Sequence, residues 1–205
     1  MIETLLSFVL TTLALAFSPG PDNIFVLTQS MVNGRKFGLA TVYGLMTGCI
    51  IHTTLVAFGV SEILKRNENL FFVIKLFGAG YLLYLAFMVF KSNSDIVFST
   101  DNVEQKTTFQ LFKTGFWMNV LNPKVTIFFL AFFPQFLFST EISTVIQFYV
   151  LGGLFILTSF TVFSTIAILA GTIASYTKTN KNAGVFFKWL QIIVFVGIAV
   201  FILFD

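Results

Sequence analysis

Six long apolar stretches constrain this chain more than any other feature of its sequence. They lie near residues 4–32, 38–60, 70–90, 109–138, 143–174 and 185–204. A helix needs about 20 apolar residues to cross the roughly 30 Å hydrocarbon core of a bilayer. The strands of a membrane barrel would be shorter and would alternate apolar with polar side chains. The stretches therefore predict an all-α integral membrane protein with six transmembrane helices.

The polar connections between these stretches are too short to form a second domain. The longest connection is 91–108, which is rich in Ser, Asn, Asp, Thr and Lys. With 57% hydrophobic and 10% charged residues, the chain has too little polar surface for a soluble globule. The net charge of +3 is spread along the chain without a basic run, so nucleic-acid binding is not predicted. We expect residues 1–205 to form a single domain whose main partner is the lipid bilayer.

The basic residues predict the orientation of the chain. Eight of the 12 Lys and Arg residues belong to the first, third and fifth connections. Cytoplasmic connections of membrane proteins usually carry such an excess of positive charge. We therefore expect the odd-numbered connections in the cytoplasm and both termini outside, although Lys65 and Arg66 in the second connection oppose this trend.

Proline interrupts the first and the fourth stretch near their middles. The interruptions read Ser-Pro-Gly-Pro-Asp-Asn at 18–23 and Asn-Val-Leu-Asn-Pro-Lys at 119–124. Proline removes a backbone donor and clashes with the preceding turn of a helix, so both helices should unwind there. Backbone groups freed at membrane depth are tolerated only inside protein or beside a wet cavity. The two breaks are therefore the expected place of a buried polar site.

The two breaks also belong to a weak internal repeat, with one copy at about 1–90 and the other at about 109–205. In each copy, a broken stretch is followed by two continuous ones. Since each half has three spans, the second half must enter the membrane with opposite polarity. Paired broken helices in inverted repeats are typical of secondary transporters, whose sites form near the midplane. We predict two inverted three-helix repeats, with helices 1 and 4 broken at the proline motifs.

The deepest charges in the apolar sequence are those of Asp22 and Lys124. Asp22 precedes Arg35 by about 20 Å if the intervening chain is helical. A charge at that depth costs ~2.5–3.5 kcal/mol on insertion scales, and it marks a pathway or a pair. The sequence leaves two interpretations open: a structural salt bridge between the two residues, or a role in handling substrate or protons.

The surroundings of these charges are suited to a zwitterion. Half-helices that begin at Pro21 and Pro123 would offer free amides and a partial positive charge to a carboxylate. An ammonium group would bind Asp22 or the side-chain oxygens of the neighbouring asparagines. The candidate residues for substrate binding or coupling are Pro19, Gly20, Pro21, Asp22, Asn23, Asn119, Asn122, Pro123, Lys124 and His52.

The remaining polar residues have competing interpretations. His52 suits proton coupling or a hydrogen-bonded packing role. Cys49 is the sole cysteine and is expected to pack in the bundle. No cofactor or metal site is expected, and no nucleotide-binding loop or catalytic motif appears, so neither an enzyme nor an ATP-driven pump is predicted. Four threonines of the fifth stretch could line a polar path or bond between helices: Thr158, Thr161, Thr165 and Thr172.

Four blocks of the sequence, in this order, match a known pattern. They are 18–23, 33–38 (Asn-Gly-Arg-Lys-Phe-Gly), 78–86 and 112–124, and Pro134-Gln135-Phe136 follows the last block. The chain thereby resembles the lysine-exporter (LysE) type of amino-acid efflux proteins, which includes the homoserine and threonine exporters. The sequence departs from the family at 78–80, Gly-Ala-Gly, where members often have a single glycine, and this should affect packing.

This resemblance implies a secondary transporter of the bacterial inner membrane. It would export a neutral or basic amino acid, or a close derivative, by proton antiport with alternating access. The functional residues carried over by the resemblance are Pro19, Gly20, Pro21, Asp22, Asn122, Pro123 and Lys124. The alternatives are a passive channel, which needs a continuous polar path, and a non-catalytic membrane scaffold, in which changes at Asp22 would alter assembly but not flux. A homodimer is compatible with a bundle of this size.

Overall fold

The computed structural model describes residues 1–18, 20–66, 68–92, 106–179 and 182–204, and most of them are helical. The predicted connection 91–108 and Pro19 thus lie largely or wholly outside the described residues. Four helices are long and apolar enough to cross a membrane: Arg35–Ile63, Asn69–Lys91, Thr144–Ile168 and Asn182–Phe204. Two bent pairs of helices also pass this test together: Ile2–Phe17 with Pro21–Val32, and Thr108–Val120 with Pro123–Phe136. The described part of the chain therefore has four spans, or up to six if each bent pair is one span.

The helices are named here in chain order. They are α1 (Ile2–Phe17), α2 (Pro21–Val32), α3 (Arg35–Leu55), α4 (Ser61–Arg66), α5 (Glu68–Lys91), α6 (Thr108–Val120), α7 (Pro123–Ile127), α8 (Thr144–Ile168), α9 (Ala170–Thr179) and α10 (Asn182–Phe204). A π-helical turn, Val56–Val60, joins α3 to α4. Helix α7 continues as a π-helical turn, Phe128–Phe132, and a 3-10 turn, Phe133–Phe136. We call α1 with α2 the first broken span, and α6 with α7 and its continuation the second.

Both predicted breaks are present, and local chemistry explains them. Helix α1 ends at Ser18, whose backbone is extended, and α2 begins after the extended Gly20 with Pro21 in its first turn. Proline suits the first position of a helix because the amide it lacks would have no partner there. Pro123 starts α7 in the same way. The axes bend by 60° at the first break and by 49° at the second, so each break redirects its span.

The two broken spans pack against different continuous helices. Helix α1 contacts α8, α6 contacts α3 along much of its length, and α5 pairs with α10. The contact between α3 and α6 is close because glycine lies on both sides of it. A Cβ atom at Gly44 would overlap the carbonyl oxygen of Phe112, and one at Gly115 would overlap that of Thr41. The second break is thereby held against the backbone of α3.

We expect Gly44→Ala to destabilise the protein strongly. The added methyl group meets backbone atoms, which cannot rotate away, and overpacking of this kind costs ~1–3 kcal/mol or more. Gly153→Ala in α8 is the matched control, since a Cβ atom there has nothing within 4 Å, and alanine stabilises a helix relative to glycine. Thermal unfolding of the two purified variants in detergent measures the difference. Equal unfolding temperatures would contradict the close contact of α3 with α6.

Phenylalanine side chains form much of the core beside the second break. Phe128, Phe129, Phe132 and Phe133 are at most 1% exposed. The Phe129 and Phe133 rings stack with their centroids 4.1 Å apart, and Phe8 of α1 meets Phe133 edge-on at 5.0 Å. Stacked and edge-on aromatic pairs add to the free energy of burial. This packing fixes the second half of one broken span beside the first half of the other.

The outward faces of α5 and α10 carry large apolar side chains. The most exposed of them include Phe72, Phe77, Phe87, Phe90, Phe186, Ile193 and Phe204. Apolar patches of this extent do not face water in soluble monomers, whereas hydrocarbon accepts them. Together with the candidate spans, these faces identify a multi-pass membrane protein.

Candidate functional site

The side chain of Asn122 joins the two breaks to each other. Its amide nitrogen donates a hydrogen bond to Oδ2 of Asp22 over 3.0 Å. Its amide oxygen accepts from the backbone nitrogen of Lys124 over 3.0 Å and so caps the start of α7. Asp22 lies in the first turn of α2 and is 9% exposed. One asparagine therefore terminates a half-helix and holds the buried carboxylate of the other broken span.

Lys124 lies in the first turn of α7, as Asp22 does in that of α2, and its ammonium group points toward the first break. A Cβ atom at Gly20 would be 3.8 Å from Nζ. The charge of Asp22 acts on this ammonium group, but no direct ion pair joins the two side chains in the described part of the chain. Instead, Nζ lies 4.8 Å from the centre of the Phe195 ring in α10. The ammonium group is thus held beside a carboxylate and over an aromatic face, without a hydrogen-bond acceptor among the described residues.

The side chain of Asn23 replaces a backbone hydrogen bond that is lost at the end of α1. The carbonyl of Ala16 would normally accept from the amide of residue 20, but the chain is extended there. The side-chain nitrogen of Asn23 donates to this carbonyl over 2.8 Å instead. Its side-chain oxygen stays near Gly20, where a Cβ atom would be 3.7 Å away. Asn23 therefore stabilises the break, and its side-chain oxygen and the Lys124 ammonium group both lie near Gly20.

His52 adds a hydrogen bond at the second break, where the carbonyl of Asn119 already accepts from the backbone nitrogen of Asn122 over 3.0 Å. Proline at position 123 has no amide hydrogen to give to the carbonyl of Asn119. His52 Nε2 lies 3.1 Å from that oxygen, and because a carbonyl only accepts, Nε2 carries the hydrogen in this arrangement. His52 is 3% exposed and does not line the cavity described below. Its hydrogen bond favours the packing role over the proton relay.

We expect His52→Gln to keep most of the thermal stability of the protein and His52→Leu to lose part of it. Glutamine can still donate to the Asn119 carbonyl, whereas leucine leaves that carbonyl with only the hydrogen bond from the Asn122 backbone nitrogen. The lost hydrogen bond is worth ~0.5–1.5 kcal/mol. Thermal unfolding of the two purified variants checks this, and equal unfolding temperatures would contradict the hydrogen bond assigned to His52.

A partly open cavity lies between the two breaks and the inner faces of α3 and α8. Its volume is about 50 Å³, which is room for no more than a few water molecules. Polar residues from the breaks form one side of it: Gly20, Pro21, Asp22, Asn23, Asn119, Asn122 and Lys124. Leu15, Leu45, Met46, Cys49, Phe155, Ser159 and Phe163 are among the residues that complete it. The cavity thus has a charged side and a largely apolar side.

Most of the residues singled out in the sequence meet at this cavity. Pro123 does not line the cavity but begins α7. His52 contacts the Asn119 carbonyl outside the cavity, and Pro19 lies outside the described residues. None of the four fifth-stretch threonines lines the cavity, and Thr161 and Thr165 are exposed and donate to carbonyls of their own helix. The sequence did not single out Phe195 or Ser159. Only the tertiary structure brings these two apolar-stretch residues to the breaks, because Ser159 is one of several hydroxyl-bearing residues in its stretch.

The sequence blocks around this site are shared with known proteins. The family model of the LysE type translocator matches residues 13–205. The chain belongs to the LysE type translocator family. Proteins of this family are transporters, not enzymes.

Two curated relatives are each 31% identical to this LysE type translocator over 176 residues, which are 86% of this chain and 84% of the relative. One is the homoserine/homoserine lactone efflux protein of Salmonella typhimurium (strain LT2), and the other is the protein of the same name from Salmonella typhi. No solved structure matches this chain.

Proposed function

We propose that this LysE type translocator exports small amino acids or close derivatives across the bacterial inner membrane. The observation that carries the proposal is the meeting of one carboxylate, Asp22, and one ammonium group, Lys124, in a single cavity between two helix breaks. Intramembrane charges of this kind mark substrate or ion pathways. The names of the two relatives, which are efflux proteins for homoserine and its lactone, support the direction of transport and the substrate class.

The two charged groups suit the two ends of an amino acid. Lys124 has no hydrogen-bond acceptor among the described residues and can receive a carboxylate. Asp22 accepts one hydrogen bond, from Asn122, on Oδ2, and its other oxygen is available to an ammonium group. Two charges of opposite sign, held close to each other but not paired directly, match a zwitterion better than they match a substrate with one net charge.

The packing of the helices supports the inverted repeat. In a repeat of this kind, the first broken span corresponds to the second, α3 corresponds to α8, and α5 corresponds to α10. The contact of α1 with α8 then has its counterpart in the contact of α6 with α3. The α5–α10 and α3–α8 contacts each join two corresponding helices, and all of these contacts are observed. In transporters with this design, one repeat rocks against the other around a fixed site. We propose alternating access of this kind, with both termini outside the cytoplasm.

The cavity volume supports a moving carrier over a passive channel. A space of about 50 Å³ admits a few water molecules but not an amino acid, so the cavity must widen for a solute to cross. Proton exchange would supply the driving force, with the buried carboxylate of Asp22 as the group that a proton and a substrate ammonium compete for. A membrane scaffold would not need Asp22 and Lys124, because inserting such charges into the membrane costs free energy.

The test is transport by the purified protein in liposomes. Vesicles preloaded with labelled homoserine should release it when a pH gradient is imposed, and an uncoupler should abolish the release. Lysine and leucine, tested in the same way, widen the search for the substrate. If well-incorporated protein carries no amino acid in either direction, the exporter proposal is wrong, and release that ignores both the gradient and the uncoupler would indicate a channel.

A further inference from the structure

Ser159 is the polar residue on the largely apolar side of the cavity. It lies in α8, between Phe155 and Phe163 on the same face, and all three residues line the cavity. Its exposed fraction is 2%. A hydroxyl group in such a place needs a hydrogen-bond partner, because burying it without one costs free energy.

Many hydroxyl groups in the helices of this protein find that partner in their own backbone, as Ser30 does at Val26 and Thr53 at Cys49. Four other buried hydroxyl groups have no partner in the described part of the chain, but none of them lines the cavity: Thr12, Ser18, Ser61 and Ser164. Ser159 makes no hydrogen bond of this or any other kind within the described part of the chain. Its hydroxyl group is therefore available to whatever occupies the cavity.

The charges around the cavity limit the substrate further. Among the described residues that line it, Asp22 is the only carboxylate. If Asp22 binds the α-ammonium group of an amino acid, a second positive charge in the side chain has no partner there. An unpaired charge in a closed apolar space is costly. The side chain that points toward Ser159 must accordingly be neutral.

We propose that Ser159 determines specificity by binding a hydrogen-bonding group at the end of a small, neutral amino-acid side chain. This inference rests on the proposed function, since it assumes that Asp22 and Lys124 hold the two ends of the amino acid. A substrate hydroxyl or carbonyl oxygen completes the hydrogen bonding of Ser159. A methyl group of the same size leaves that hydroxyl group buried and unpaired.

The experiment compares two substrates that differ only in this group. Purified protein in liposomes exchanges labelled homoserine against unlabelled homoserine or norvaline, which has a methyl group where homoserine has a hydroxyl. The parent should prefer homoserine by several-fold to about tenfold, as expected for one buried hydrogen bond. Ser159→Ala should lose that preference while its norvaline exchange persists, which shows that the variant is folded. Thr161→Ala, on the exposed side of the same helix, should keep the preference of the parent.

Three outcomes separate the hypotheses. Loss of the homoserine preference in Ser159→Ala alone supports the assignment. An unchanged preference in Ser159→Ala, or exchange of lysine as fast as homoserine by the parent, would overturn it and leave the exporter proposal intact. If the parent exchanges no amino acid at all, the proposed function fails first, and this assignment fails with it.

Discussion

Replacing Asp22 with asparagine should abolish amino-acid export at unchanged protein abundance. Asparagine has nearly the shape of aspartate, so the hydrogen bond from Asn122 to its side-chain oxygen can persist. The variant loses the negative charge that we assign to binding a substrate ammonium group and to proton exchange. Loss of a charged partner in a closed site typically costs 2–5 kcal/mol. Export should therefore fall by a factor of about 30 or more.

The measurement is efflux from preloaded cells that produce the parent or the variant, with membrane abundance determined on the same samples. Glu141→Gln is the matched control, because it removes a carboxylate that is exposed and distant from the cavity, and it should export normally. An Asp22→Asn variant that is abundant and exports at the parental rate would remove Asp22 from the mechanism. A variant that fails to accumulate would instead be tested by thermal unfolding, since a purely structural role predicts loss of stability.

The sequence predicted the positions of the spans and of both breaks because the signals for them are local. About twenty apolar residues in a row define a span, and a proline within such a stretch, because it has no amide hydrogen, marks a break. The depth of Asp22 and Lys124 followed from the same pattern. What these local signals could not give is which side chains replace the lost backbone hydrogen bonds. Asn23 does so at the first break, and at the second break His52 adds a hydrogen bond to a carbonyl that also accepts from the Asn122 backbone.

The apolar side of the cavity was not predictable for a related reason. Phe155, Ser159 and Phe195 lie in apolar helices whose sequence has no special feature at these positions. Membrane helices are apolar on all sides, so the pattern does not say which face turns inward. The packing of α8 and α10 against the breaks determines that Ser159 faces the cavity and that Phe195 lies under Lys124.

The same tertiary packing corrects the simplest interpretation of the two buried charges. A structural salt bridge requires direct contact, but Asn122 is the group that binds Asp22, and Lys124 lies over the Phe195 ring. Lys124 is also near the amino end of a helical segment, where a positive charge is unfavourable by ~0.3–1 kcal/mol. The position of Lys124 in the helix is thus unfavourable for its charge, whereas its contact with the Phe195 ring is favourable. The unfavourable helix position fits the proposed binding of a substrate carboxylate.

Lys124→Met should consequently abolish export while the protein remains folded. Methionine keeps the length and the contact with Phe195 and relieves the unfavourable charge at the start of α7. Asp22 loses a nearby opposite charge but keeps its hydrogen bond from Asn122, so the melting temperature should change little. Export should fall by a factor of about 30 or more, because the substrate carboxylate loses a charged partner that is typically worth 2–5 kcal/mol. Lys113→Met, an exposed change in α6, is the control and should leave export unchanged. If Lys124→Met instead unfolds the protein at a lower temperature and the folded fraction still transports, Lys124 is a structural partner of Asp22 and does not bind the substrate carboxylate.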